Sequence, residues 1–178
     1  VAIADLNDDG KPDMSVHYFL VNDNVSLYRN TSTSGSISFE NPDHISTGYI
    51  TDAMTVNDFN GDGKPDLAVQ SFGNFLSLLK NTSLSSGPIQ FSPAKKVRMI
   101  WGGPLYAGDF DVDGKPDITF DGGLFRVLIL KNQTHYPQIA SFAPLQAKAG
   151  DTVTIAGVNF SSATNVKFGG TPAASFTI

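Results

Sequence analysis

The chain has no cysteine among its 178 residues. That rules out both a disulfide framework and a thiolate metal site, so any staple must use other chemistry. Basic charge is also scarce, with 12 Lys and Arg against 17 Asp and Glu and a formal net charge of −5. The one local run of bases, Lys95-Lys96-Val97-Arg98, reads as a solvated strand edge, so nucleic acid and anionic membrane are not expected partners. No apolar run reaches the length needed to span a bilayer, and no membrane insertion of this segment is expected. No signal peptide is present; the chain opens directly on Val1-Ala-Ile-Ala4, and the protein is expected to begin upstream. The three histidines, His17, His44 and His135, are dispersed, and there is no Gly-x-Ser-x-Gly, phosphate loop or zinc-spaced His-Glu pair. No catalytic residue is therefore expected, and the chain is not read as an enzyme.

What the sequence does contain is one acidic nonapeptide, three times. It runs over residues 5–13 (Asp-Leu-Asn-Asp-Asp-Gly-Lys-Pro-Asp), 58–66 (Asp-Phe-Asn-Gly-Asp-Gly-Lys-Pro-Asp) and 109–117 (Asp-Phe-Asp-Val-Asp-Gly-Lys-Pro-Asp). Of the 17 acids, 11 lie inside these loops, where three or four carboxylates per loop repel one another unless a cation intervenes. Oxygen donors at positions 1, 3, 5 and 9, with glycine at 6 for the turn, suit a hard divalent cation. The expected ligands are Asp5, Asn7, Asp9, the Lys11 carbonyl and Asp13; Asp58, Asn60, Asp62, the Lys64 carbonyl and Asp66; and Asp109, Asp111, Asp113, the Lys115 carbonyl and Asp117. Position 9 is expected to close the shell with both oxygens. Calcium suits such a shell better than magnesium, which keeps its waters, so about three ions are expected, one per loop. Six positive charges would turn the net −5 into +1. Asp8 and Asp111 add charge to loops one and three, which are expected to bind more tightly than loop two. The opening Asp-x-Asn/Asp-x-Asp-Gly also fits an EF-hand, but an EF-hand needs Glu at position 12, where this chain has Val16, Val69 and Phe120, and helices on both flanks.

The loops begin at 5, 58 and 109, so the repeat is about fifty residues long. Each unit enters its loop from a short apolar stretch and leaves it by an alternating one (Met14–Phe19, Leu67–Phe72, Ile118–Phe120). A third strand follows, Val25–Tyr28, Phe75–Leu79 or Phe125–Leu130, and ends on Arg29-Asn30, Lys80-Asn81 or Lys131-Asn132. After a Ser/Thr-Gly turn a fourth stretch runs to about Thr47 or Arg98, while the third unit stops after its third strand. Four short strands per fifty residues, with no 3.6-residue period, make an all-β chain of four-stranded antiparallel β-propeller blades. About three are present, so the chain is expected to be part of a larger propeller. From residue 135 the pattern changes to Gly- and Asn-punctuated strands (139–144, 150–160, 165–170 and 174–178), the start of an Ig-like β-sandwich. The expected domains are thus 1–134, the propeller blades, and 135–178, the N-terminal part of the Ig-like domain.

These features resemble FG-GAP repeats of the VCBS kind found in secreted bacterial proteins, related to the calcium-bearing blades of the integrin α-subunit. The resemblance rests on Val-x-x-x-Asp-x-Asn/Asp-x-Asp-Gly-Lys-Pro-Asp, the Leu-x-Arg/Lys-Asn strand end and the Ser/Thr-Gly turn. Phe142-x-Pro144, Gly150-x-Thr-Val-Thr-Ile-x-Gly157-x-Asn159-Phe160 and Phe168-Gly-Gly170 are similar to the start of an IPT/TIG domain. The resemblance implies that the calcium loop joins the first two strands of a blade and that the opposite face carries the recognition loops, among them 21–24, 73–74, 121–123 and 99–104. Trp101, in the last of these, could stack on a sugar or peptide, or pack between blades. It also implies a secreted or cell-surface binding and adhesion scaffold for glycan or protein ligands on the cell surface or matrix, with contacts to further blades of the same chain. The alternatives are a non-catalytic accessory region of a large secreted hydrolase, or a purely structural stalk. The five Asn-x-Ser/Thr triplets, at Asn24, Asn30, Asn81, Asn132 and Asn159, would not mark glycosylation in a bacterial protein.

Overall fold

A computed structural model describes all residues except 19–22, 100–102, 123–125, 136 and 164. Val21, Trp101, Gly123 and Phe125, each part of an expected loop or strand, lie outside the described residues. The chain divides into two compact units, Val1–Gln133 and Thr134–Ile178.

The first unit is built from short antiparallel sheets in sequence order. One is four-stranded, β1 (Ala2–Ala4), β2 (Asp13–His17), β3 (Asn24–Tyr28) and β4 (Asp43–Ser46); the next repeats it with β5 (Thr51–Asn57), β6 (Asp66–Ser71), β7 (Phe75–Leu79) and β8 (Lys95–Arg98). The third sheet has β9 (Leu105–Gly108), β10 (Asp117–Asp121) and β11 (Val127–Leu130), in the order β11-β10-β9. Three meanders of this kind follow from hairpin-length connections and alternating strands. The fourth strands are shorter than the sequence suggests. Phe39 and Phe91 make only isolated bridges, to Asn30 and Asn81, before β4 and β8 begin.

Strand alternation decides what each sheet buries. Val25 and Leu27 on β3 share a core with Leu67 and Val69 on β6, with Leu6 and Ile89 beside them. The intervening Ala68, with Leu76 of β7, turns the other way onto Ile118 and Phe120 of β10 and Leu105 of β9. The middle sheet is therefore covered on both faces, and β6 is buried along its whole length, although a half-buried strand would expose every second residue. Each Leu so buried is worth roughly 2 kcal/mol. The outer faces remain open: Ile3, at the repeat position of Val56, is 61% exposed, while Val127 and Ile129, at the repeat positions of Leu76 and Leu78, are 74% and 54% exposed.

Because each sheet is a meander, alternate connections fall at opposite ends. The β1–β2, β5–β6 and β9–β10 loops share one end with the β3–β4 and β7–β8 turns. The β2–β3, β4–β5 and β6–β7 connections lie at the other.

The second unit contains a hairpin, β12 (Gln138–Ala143) with β13 (Thr154–Val158), a 3₁₀ turn at Phe160–Ser162, and a small hairpin, β14 (Lys167–Phe168) with β15 (Thr171–Pro172). The strand expected over 174–178 is not formed: that segment finds no ladder partner among the described residues. No helix among the described residues is long and apolar enough to cross a membrane.

Candidate metal centre

Each nonapeptide is wound around its first carboxylate. Asp5 accepts the N–H of Asp9 at 3.1 Å and of Gly10 at 2.7 Å. Asp58 does the same for Asp62 and Gly63, at 3.2 and 2.7 Å, and Asp109 for Asp113 and Gly114, at 3.0 and 2.8 Å. The position-5 carboxylate then takes the N–H of the lysine at position 7, at 3.0 Å in all three loops. Two left-handed residues make the bend. Position 6 has φ of +83°, +83° and +82° at Gly10, Gly63 and Gly114, with no atom within 4 Å of the point a Cβ would occupy, so conformation rather than crowding requires glycine. Position 4 is left-handed as well, at Asp8 (φ 55°), Gly61 (78°) and Val112 (62°). Of its three residue types only Gly61 hints at this.

The ninth residue has a second partner outside the loop. Asp13 Oδ2 accepts the N–H of Leu6 at 3.0 Å, and its Oδ1 that of Asn30 at 2.8 Å. Asp66 takes Phe59 and Asn81, and Asp117 takes Phe110 and Asn132, in the same way. Of the two oxygens expected to close an ion shell, Oδ2 thus holds the loop to itself and Oδ1 ties it to the end of the third strand. The strand-end Asn completes the tie: its amide donates to the carbonyl of the loop proline, from Asn30 to Pro12 at 2.8 Å, Asn81 to Pro65 at 3.0 Å and Asn132 to Pro116 at 3.2 Å. Asn81 donates in addition to Leu6 O, and Asn132 to Phe59 O, each at 2.9 Å. Asn81 and Asn132 therefore hold both their own loop and the loop of the preceding repeat.

Loop three gathers three carboxylates. Asp109, Asp111 and Asp117 each bring an oxygen within 4.8 Å of the other two. One cation with bonds of about 2.4 Å spans that distance. In loops one and two position 3 is Asn7 or Asn60, so the same three positions offer two carboxylates and an amide. Asp113 is not in the group of three. The position-5 carboxylates instead face the base that ends the third strand: Arg29 Nη2 is 3.9 Å from Asp9, Lys80 Nζ 3.1 Å from Asp62 and Lys131 Nζ 3.5 Å from Asp113. Lys131 also bonds Asp111; this hydrogen bond holds Asp111 below the usual carboxylate range and raises the lysine.

Loop one differs in a way that bears on a bound cation. Asn7 is 1% exposed, and its Oδ1 is buried with no hydrogen-bond partner. A buried, unsatisfied acceptor is costly and calls for an ion or a water. The all-oxygen donor set fits a hard cation such as calcium. Burial also pushes Asp13 up from its ordinary value and Asp66 up to about 6, with the neighbouring loop carboxylates adding to the effect and backbone N–H donors opposing it. Carboxylates held together out of water in this way favour a proton or a metal.

The family model for FG-GAP-like repeats matches residues 5–69 and again 58–120, and that for the IPT/TIG domain matches residues 137–178. No match is found among curated proteins. FG-GAP and TIG domains are commonly extracellular, typically non-catalytic, and generally mediate protein interactions in adhesion or scaffold-type regions. With its all-β sheets, its repeated acidic loops and family matches across most of its length, the chain belongs to the FG-GAP-like repeat family and carries a TIG domain behind the repeats.

Proposed function

We propose that the three nonapeptide loops bind calcium and that the chain is a calcium-stabilised, extracellular binding scaffold whose ligand, a glycan or a protein, engages the end of the sheets away from the loops. The oxygens of Asp109, Asp111 and Asp117 within 4.8 Å of one another carry this reading. In loop one Asp5, Asn7, Asp9 and Asp13 take the equivalent roles, and in loop two Asp58, Asn60, Asp62 and Asp66, with the carbonyls of Lys11, Lys64 and Lys115 completing the shells. Extracellular modules of this kind bind at about 0.1–1 mM, the level found outside cells. The open outer faces, with Ile3 on one side and Val127 and Ile129 on the other, support further blades of the same chain as neighbours. The division of the chain into 1–134 and 135–178 is proposed on the same footing.

Support for the recognition end comes from an aromatic group there. The rings of Tyr49 and Phe75 stack at 4.9 Å between centroids, and Lys96 Nζ lies 4.7 Å over the Tyr49 ring. Phe72, on the adjoining turn, is 44% exposed. Exposed aromatics beside a cation suit sugar faces and peptide side chains alike.

Calorimetric titration with calcium tests the metal reading. Binding of about three ions is expected, with Asp117→Ala removing one of them. No heat of binding, together with a melting temperature that chelator leaves unchanged, would overturn it.

A further inference from the structure

Loop one touches the second repeat as much as its own. Asn7 Nδ2 donates to Gly87 O at 2.9 Å, and the Asn7 carbonyl accepts the Ser86 N–H at 2.7 Å. Ser85 Oγ donates to Asp8 O at 3.1 Å, and Arg29, which also faces Asp9, donates to Ser86 O at 3.1 Å. Asn81, at the head of the same segment, donates to Leu6 O. The 84–87 turn meets the loop with Ser86 in a left-handed conformation, φ 56°, closed by the Gly87 N–H on Leu84 O at 2.9 Å. A serine is seldom held there without neighbours that fix it.

The consequence lies in the Asn7 side chain. With Nδ2 committed to Gly87 O, the amide plane is fixed, and Oδ1 is the atom left for the loop, buried and without a partner. Position 3 of the other loops is treated differently. Asn60 turns Nδ2 back onto Asp66 Oδ2 of its own loop, at 2.7 Å, and Asp111 pairs with Lys131. Those contacts commit position 3 within its own repeat, whereas Asn7 is held from repeat two with its oxygen turned to loop one.

We propose that the second repeat completes the ion site of loop one: the 84–87 turn positions Asn7 for the cation, so that filling loop one and seating the turn of repeat two are one coupled equilibrium. Asn7 is thus both a ligand, through Oδ1, and the link, through Nδ2. This rests on the calcium reading of the loops. It adds that the ion fastens two successive repeats together, not only two strands of one.

Two measurements on the whole chain test it. Charge alone predicts that Asn7→Asp tightens calcium binding, since it adds a carboxylate at position 3, as Asp111 does in loop three. Coupling predicts the reverse, because Asp cannot donate to Gly87 O and sets a negative charge against that carbonyl. Calorimetry should then show one site weakened about tenfold, within the usual range for coupled sites, while Asn60→Asp, whose amide serves only its own loop, binds calcium more tightly. Amide hydrogen exchange of the unsubstituted protein gives the second readout and does not depend on any variant folding. Calcium should slow Ser86 about tenfold together with Asp9 and Gly10, and leave Ser36, in the matching turn of repeat one, unchanged. Tighter binding by Asn7→Asp overturns the coupling, as does slowing of Asp9 and Gly10 without Ser86. If none of the loop amides responds to calcium, the calcium reading itself fails, and the coupling falls with it.

Discussion

Replacing Asn81 by Ala should be among the most damaging polar truncations in the chain. Asn81 is 1% exposed; its Nδ2 donates to Leu6 O in the preceding repeat and to Pro65 O in its own loop, and its Oδ1 accepts the Ser83 N–H at 2.9 Å. Alanine keeps the backbone bond to Asp66 but strips a partner from three main-chain groups. Two of these, on Leu6 and Ser83, belong to residues only 2% exposed. A buried group left without a partner costs about 1–3 kcal/mol, so the loss should be about 3–5 kcal/mol. For a chain of this length that is a fall in melting temperature on the order of 10 °C. The repeats supply internal controls. Among the described residues the Asn30 side chain serves Pro12 and Ser32 of its own repeat, and Asn132 reaches Phe59 from a half-buried position; each should cost about 1–3 kcal/mol when truncated. Asn81→Asp keeps the side-chain volume and the Ser83 bond but faces two carbonyls with a charge, and should be at least as damaging as alanine. Urea unfolding of the variants in chelator, followed by circular dichroism, measures all four. A cost at Asn81 below about 1 kcal/mol, or no larger than that at Asn30, would refute the view that this residue joins successive repeats.

Two further expectations concern the loops themselves. Asp66 is raised to about 6 chiefly by burial, so the metal-free folded state holds a proton that the unfolded chain releases near 4; Asp13 is shifted in the same direction. The metal-free protein should therefore be most stable below about pH 4 as far as these groups are concerned, and lose that contribution, up to about 3 kcal/mol for Asp66, as the pH rises through 6. Calcium needs the ionised carboxylates, so its stabilising effect should grow over the same interval; melting curves at pH 5 and 7, with chelator and with calcium, test both signs, and a chelated protein that is more stable at pH 7 would contradict the first. Val112 is a β-branched residue at φ 62° and 88% exposed, a conformation that costs of order 1–3 kcal/mol for such a side chain. Val112→Asn should raise stability by about 1 kcal/mol, and no gain in a thermal melt would show that the loop does not hold the residue under strain.

How much of this was legible in the sequence depended on whether the signal was periodic. Alternation along Leu67–Val69 and Ile118–Phe120 gave the strands, the spacing of 5, 58 and 109 gave the repeat, and the Asp-x-Asn/Asp-x-Asp-Gly pattern gave the loop, because each reflects backbone geometry that recurs with the chain. The strand-end Asn was visible only as a recurring letter in Arg29-Asn30, Lys80-Asn81 and Lys131-Asn132. Its bond from Asn81 to Leu6 joins residues 75 apart, and no local spacing encodes such a pair. The same holds for Asn7 and Gly87, 80 apart, and for the positive φ shared by Asp8, Gly61 and Val112, which only the Gly announces. The 174–178 segment shows the opposite error: its alternation suits a strand, but a strand exists only where another strand pairs with it. Position 9 shows why these long-range ties matter to the site. A loop that served an ion alone would need only its own carboxylates, yet Asp13, Asp66 and Asp117 each divide their oxygens between the loop and the end of the third strand. In the second and third repeats, an ion that drew on those oxygens would act on the backbone of the same Asn whose side chain grips the preceding repeat, so cation binding and the stacking of successive sheets would meet at one residue.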